Sequence, residues 1–346
     1  MQDDLFGSPA QPVPTPAPRC APAARAAQVR AATPQPAWTA LGQALPATLR
    51  MGVSTWSYPG WDGLVWDGVY DPSVLSRNGL NALAQHPLMR TVCVDRSFWR
   101  PLSTEQYARM AAQVPPDFRF VVKCPSVVTD ALVRNESGQG QQSNPAFLSP
   151  ELAVTQYVHP CTQGLGERLG VLVFQLSPLP WDWLQRPDAL FARLGTMLAA
   201  VHAALGPAPR PIVAVEVRDP LLLQPALVAT LQAHGATLCL GLHGKMPPIE
   251  QQLPWLRRLW PTPLVCRWNL NTAFGPFGYP AAQEKHTPFD RIRSADPHTR
   301  AVLAQTIRGI TGAGQPAFVT ISNDAEGCAP LSIALLSAAL TGLPAT

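Results

Sequence analysis

The chain has 346 residues, 47% of them hydrophobic and only 14% charged, enough apolar content for one large core or two modest ones. Its formal net charge of +4 and pI near 8.8 are mildly basic, which is not the footprint of a strong nucleic-acid binder. No run of about 18 apolar residues occurs, so no membrane span is expected.

Residues 1–47 are rich in Pro, Ala and Gln, and from Pro9 to Pro18 proline alternates with small residues. Such a segment cannot bury enough apolar surface to offset its ordering entropy, so a disordered or polyproline-like tail is expected over residues 1–47. It lacks the apolar stretch of a signal peptide. It opens with Gln2-Asp3-Asp4-Leu5-Phe6, which resembles the short Gln-x-x-Leu-Phe peptides that dock on the bacterial sliding clamp; the alternative is a chance Leu-Phe pair.

From residue 48 onward short apolar runs alternate with helical patterns. Eight strands are predicted: Arg50–Ser54, Thr91–Asp95, Phe118–Lys123, Val171–Leu176, Ile212–Val217, Thr237–Leu240, Leu264–Trp268 and Phe318–Ser322. Helices are expected at Thr104–Gln113, Asp188–Leu205, Leu221–His234 and Thr299–Ile310. Eight such units across about 300 residues fit a single α/β domain over residues 48–346, a closed (β/α)8 TIM-type barrel, better than an open sheet. Two long connections, Arg134–Pro150 and Asn269–Pro297, are candidates to cover the catalytic face.

In a barrel alternate strand residues point inward, and sites lie at the strands' C-terminal ends. Val213, Val215 and Val217 then face the helices, while Ile212, Ala214, Glu216 and Arg218 face inward. By the same alternation Lys123, Gln175 and Arg267 point into the barrel near its top, joined by Asp95 and by Asn323 and Asp324 past the last strand. Charges buried there must pair with one another or bind something. Two readings stay open: a self-satisfied ion network, or a pocket for an anionic or polyhydroxy ligand. In the second, Glu216 is the candidate acid/base. Lys123 is an electrostatic stabiliser kept protonated by neighbouring carboxylates, or a Schiff-base lysine.

The seven histidines are scattered, with only His243 placed for a pocket, and no His-Glu-x-x-His spacing occurs. There is no Gly-x-Gly-x-x-Gly or phosphate-loop motif, so neither a metal nor a nucleotide cofactor is indicated and the cofactor stays unknown. The seven cysteines form no Cys-x-x-Cys pair, and Cys93, Cys124, Cys239 and Cys266 sit in apolar runs. They read as reduced, buried thiols of a cytoplasmic protein.

Five segments resemble the YecE-like family, also called domain of unknown function 72. They are Gly52-Val-Ser-Thr-Trp-Ser-Tyr-Pro-Gly-Trp61; Val94-Asp-Arg-Ser-Phe-Trp-Arg100 with Pro115–Lys123; Leu169–Pro178; Val215-Glu-Val-Arg-Asp-Pro220; and Ser322-Asn-Asp-Ala-Glu-Gly-Cys-Ala-Pro330. The resemblance implies a TIM-type barrel with a polar pocket at its C-terminal face. It carries over Trp56, Tyr58, Trp61, Phe98, Lys123, Gln175, Glu216, Arg218 and Asn323. Cys93, Asp95, Asp130 and Asn269 stand where the family pattern has a glutamate, an asparagine and two histidines. This points to altered chemistry or to lost activity.

Three functions follow. The first is an enzyme with hydrolase or isomerase chemistry on a small molecule, with Trp56, Tyr58 and Trp99 as aromatic walls and Arg218 and Arg267 as anion stabilisers. The second is nucleic-acid binding or processing, since similar barrels include apurinic-site endonucleases. The third is a non-catalytic binding scaffold.

Overall fold

Strands form where apolar, β-branched runs alternate their faces, and eight such runs pair side by side until the last meets the first. A computed structural model describes residues 28–135 and 139–345. The strands are β1 (Leu49–Val53), β2 (Thr91–Val94), β3 (Arg119–Lys123), β4 (Leu169–Gln175), β5 (Ile212–Glu216), β6 (Thr237–Leu242), β7 (Leu264–Trp268) and β8 (Ala317–Ile321). They close into one barrel in which each strand neighbours the next and β8 pairs with β1. Every pairing is parallel. Parallel neighbours need crossovers, and helices supply them on the outside. The fold is the (β/α)8 barrel expected, with strand ends within two residues of expectation.

Side-chain alternation divides the core. Cys93, Val121, Val171, Val173, Ala214, Cys239, Val265 and Phe318 form a closed apolar cluster inside the barrel. Their strand neighbours Val92, Val122, Leu172, Phe174, Val213, Val215, Cys266 and Trp268 belong to the larger core between barrel and helices. The barrel closes tightly at β1, where a Cβ on Gly52 would stand 1.7 Å from the Thr91 carbonyl oxygen; only glycine fits that approach.

Three expectations change. First, chain order begins well before residue 47. Helix Pro36–Ala44 buries Trp38, Leu41 and Gly42, and Trp38 Nε1 donates to the Ala345 carbonyl at 3.0 Å. Trp38, Leu41 and Leu45 repeat at helical spacing, a signal masked by the surrounding prolines. The clamp-like Gln2–Phe6 segment and Cys20 lie outside the described residues. Second, the helix expected at Leu221–His234 splits into a turn at Pro220–Leu222 and a helix at Pro225–Ala233. Pro225 lacks an N–H and keeps Gln224 extended, so the helix restarts there. Third, the two long connections hold structure of their own: a small antiparallel pair, Leu132–Arg134 with Gly140–Ser143, and a helix at Tyr279–His286.

One helix, Pro187–Leu205, is long and apolar enough to cross a membrane by length and composition alone. Its residues Leu190, Leu194, Met197, Leu198 and Val201 are packed into the outer core. All six described cysteines are free and buried.

Candidate functional site

The C-terminal ends of the strands gather the charges that alternation turns inward. Glu216 ends β5 and is wholly buried. Arg267, one residue before the end of β7, donates from Nη1 to Glu216 Oε2 at 2.6 Å and from Nη2 to Asp95 Oδ1 at 2.7 Å. Arg218 reaches the other Glu216 oxygen, Nη2 to Oε1, at 2.7 Å. Gln175 Oε1 accepts from Arg218 at 2.8 Å and from Arg267 at 3.2 Å, tying β4 into the set. Asn269 Nδ2 adds a longer contact to Glu216 Oε1 at 3.4 Å.

Gly241 of β6 makes room for this network. A Cβ there would stand 2.9 Å from Glu216 Oε1 and 3.2 Å from its Cγ. The inward face of β6, Thr237, Cys239 and Gly241, follows from alternation, so the glycine was readable as a clearing for a larger neighbour.

This arrangement removes Glu216 from the acid/base role the sequence suggests. Burial alone would raise its pKa, but Arg218 and then Arg267 outweigh burial and hold it down to about 2. Both its oxygens are engaged and none of it meets solvent. For Arg267, burial disfavours the charge, and Asp95 and Glu216 together overcome it and push the pKa up. These residues form the ion-paired part of the mouth.

Lys123 differs. It ends β3, is nine-tenths buried, and lies with Nζ 3.6 Å from the centre of the Phe98 ring. Among the described residues it has no hydrogen-bond or ion-pair partner. The sequence suggests that carboxylates keep it protonated; Asp95 and Glu216 do favour the charge, but they are outweighed. Burial first, then Arg267, lower its pKa to about 8, and Asp95 only partly counters them. Asp95 and Glu216 both contact arginines, and neither contacts Lys123. The hydroxyl of Ser97 lies 2.6 Å from the carbonyls of both Val94 and Lys123, fixing the end of β3 against β2. Ser97 stands in the segment Val94–Arg100, but nothing in the sequence marks it as a positioning residue.

The aromatic walls are distributed differently from expectation. Trp56 is buried, with the Arg96 guanidinium 5.1 Å from its ring. Tyr58 packs on Trp61 and Phe289, and burial followed by the charges of Asp324 and Asp95 raises its pKa. Trp99 is 79% exposed and meets Phe98 edge-on, so it stands at the rim and walls nothing. Asn323 Oδ1 accepts from Trp61 Nε1 at 3.3 Å and from the Ala329 N–H at 2.8 Å, joining β1 and β8 loops. His243 is buried against Tyr279, and its Nδ1 accepts from the Lys245 N–H at 3.1 Å. Burial and Arg218 lower its pKa to about 4.

Asp130 lies away from this set. Its carboxylate accepts from Arg134 Nε at 2.6 Å and from the Leu132 N–H at 3.0 Å, bracing the small antiparallel pair. Asp324 had no assigned role in the sequence, yet burial raises its pKa to about 6. A carboxyl group followed by no basic residue in its own segment gave no sign of that.

Several buried polar atoms at this end of the barrel have no protein partner. They include the hydroxyls of Ser54 and Thr320, the N–H groups at Trp56 Nε1, Arg218 Nε, Arg267 Nε and Asn323 Nδ2, and one acceptor, Asp324 Oδ1. Buried polar groups are nearly always hydrogen-bonded. The two guanidinium nitrogens, the indole and the amide nitrogen are pure donors, as is the Lys123 ammonium. At the mouth, orphaned donors therefore outnumber orphaned acceptors.

Comparison with known proteins agrees with the architecture. A DUF72 family protein of Enterococcus faecalis (EF0366) superposes with a TM-score of 0.55 at 16% identity, covering 86% of this chain and 96% of its own. A DUF72 family protein of Thermotoga maritima (TM1631) gives a TM-score of 0.52 at 17% identity, covering 82% and 96%. No curated protein matches. The family described as "Protein of unknown function DUF72" matches residues 50–345, nearly the whole barrel, and the chain belongs to that family.

Proposed function

We propose that the barrel mouth binds a small anionic, oxygen-rich ligand, with Lys123 as its main electrostatic partner. The observation that supports this reading is the donor surplus: a buried lysine with no carboxylate contact beside four orphaned N–H donors. A polyhydroxy compound carrying a carboxylate or phosphate would satisfy both the charge and the donors. Glu216, Arg267, Arg218 and Gln175 form the rigid floor that positions the ligand. Lys123, whose Nζ lies over the Phe98 ring with a pKa near 8, is the group at the end of β3 able to exchange a proton with the bound ligand near neutral pH.

The test is calorimetric titration of the full chain with a panel of sugar phosphates and hydroxy acids, repeated on Lys123→Met. Saturable binding that Lys123→Met abolishes supports the reading. Silence across the panel, or binding that survives the substitution, overturns it and favours a scaffold. The alternative of nucleic-acid binding gains little from the strand-end arginines. Arg218 and Arg267 face inward onto carboxylates and make no exposed stripe.

A further inference from the structure

A second site lies outside the barrel. Between helix Pro72–Asn78 and helix Thr104–Ala111 runs a cleft of about 860 Å³. Among the described residues three arginines line it, Arg77, Arg96 and Arg109, and no acidic side chain does. Its remaining polar lining is neutral, with Asn81, Gln106 and Gln113 among it.

These arginines differ from most others in the chain. Arg134, Arg218, Arg267, Arg291, Arg293 and Arg300 contact carboxylates. Arg50, Arg90, Arg119 and Arg308 donate to backbone carbonyls. Among the described residues, Arg77 hydrogen-bonds only the Ser73 hydroxyl at 3.3 Å and acts electrostatically on Asp71, while Arg96 hydrogen-bonds only the Ser76 hydroxyl at 3.2 Å with its guanidinium over Trp56. Arg109 acts electrostatically on Glu105, one turn earlier on its helix, without an ion-pair contact. Its place in the last turn, like that of Arg77, complements the helix dipole. The dipole explains two arginines at helix ends but not their convergence with Arg96, which begins a different helix.

Guanidinium groups present forked donors that match phosphate oxygens, and three of them on one cleft can each take an oxygen of a polyvalent anion. We infer that this cleft binds a small molecule bearing two or more phosphate groups, held by Arg77, Arg96 and Arg109, with the amide side chains as neutral contacts. The cleft opens outside the barrel and borders the mouth only where Arg96 lies over Trp56, and the proposal stands whether or not the mouth binds an anion.

The test is calorimetric titration of the full chain with tripolyphosphate, in wild type, Arg77→Gln/Arg109→Gln and Lys123→Met. Glutamine keeps helix propensity at both exposed positions. The expected result is saturable binding with a dissociation constant below about 1 mM. It should weaken roughly tenfold or more in the double arginine variant and persist in Lys123→Met. No saturable binding in wild type, equal affinity in the arginine variant, or loss in Lys123→Met alone would each overturn the proposal.

Discussion

The lower and upper halves of the barrel interior are built from the same strands and obey opposite rules. Below, Val121, Val171, Val173, Ala214, Val265 and Phe318 fill the space with apolar volume, interrupted only by uncharged groups such as the Cys93 and Cys239 thiols. Above, one step along the same alternation, Lys123, Gln175, Glu216 and Arg267 bring charge into a region almost as dry. Burying charge is costly unless it is paired, and an all-apolar mouth of similar volume is often equal or better for stability. The upper half is therefore divided further: Glu216 and Arg267 are paired and structural, whereas Lys123 is unpaired and stands at a cost that packing does not explain.

That division can be broken by substitution. Glu216→Gln leaves two buried guanidiniums facing a neutral amide, and unfolding free energy should fall by about 3–5 kcal/mol in urea denaturation. A loss under about 1 kcal/mol would show that the network is better solvated than its burial indicates. The same residue sets an acid response. Its folded pKa of about 2 lies below its ordinary 4.5, so its stabilisation is present above pH 4.5 and is lost as pH falls toward 2. The Glu216→Gln protein should lack that part of the acid transition.

Gly241→Ala adds a methyl group 2.9 Å from Glu216 Oε1, the oxygen Arg218 holds, while Arg267 holds the other. Its expected cost is about 1–3 kcal/mol, read from the denaturation midpoint. A neutral result would mean the carboxylate can swing aside.

The alkaline limb sharpens the contrast. Lys123 has a folded pKa of about 8 against 10.5 when free, so between these values the unfolded chain binds more protons. Stability should then rise with pH in that window, with a slope contribution of up to about 1.4 kcal/mol per pH unit. The slope should be missing in Lys123→Met. The smallest effect belongs to Asp95→Asn. Asp95 is partly exposed, so stability should fall by at most about 1 kcal/mol, while anion binding at the mouth should tighten as the carboxylate charge is removed.

Much of this barrel was legible beforehand because alternation on short strands is a local signal. Val213 and Val215 face the helices while Ala214 and Glu216 face inward, as their spacing demands. What could not be read was how inward charges share partners. That depends on distances across the barrel, such as Arg267 spanning Glu216 and Asp95 on strands far apart in sequence. Local charge counting put carboxylates around Lys123. The fold gave those carboxylates to arginines. Trp99 failed for a related reason, since an aromatic after a strand end can turn toward the mouth or the rim, and only packing against Phe98 decides.

The most direct test of the account is Lys123→Met, measured for stability by urea denaturation and for ligand binding by titration with the sugar-phosphate and hydroxy-acid panel. The account predicts unchanged or higher stability, by about 1 kcal/mol, together with complete loss of anion binding at the mouth. A clearly destabilised protein, or one that binds anions as wild type does, would contradict it and make Lys123 another structural member of the network.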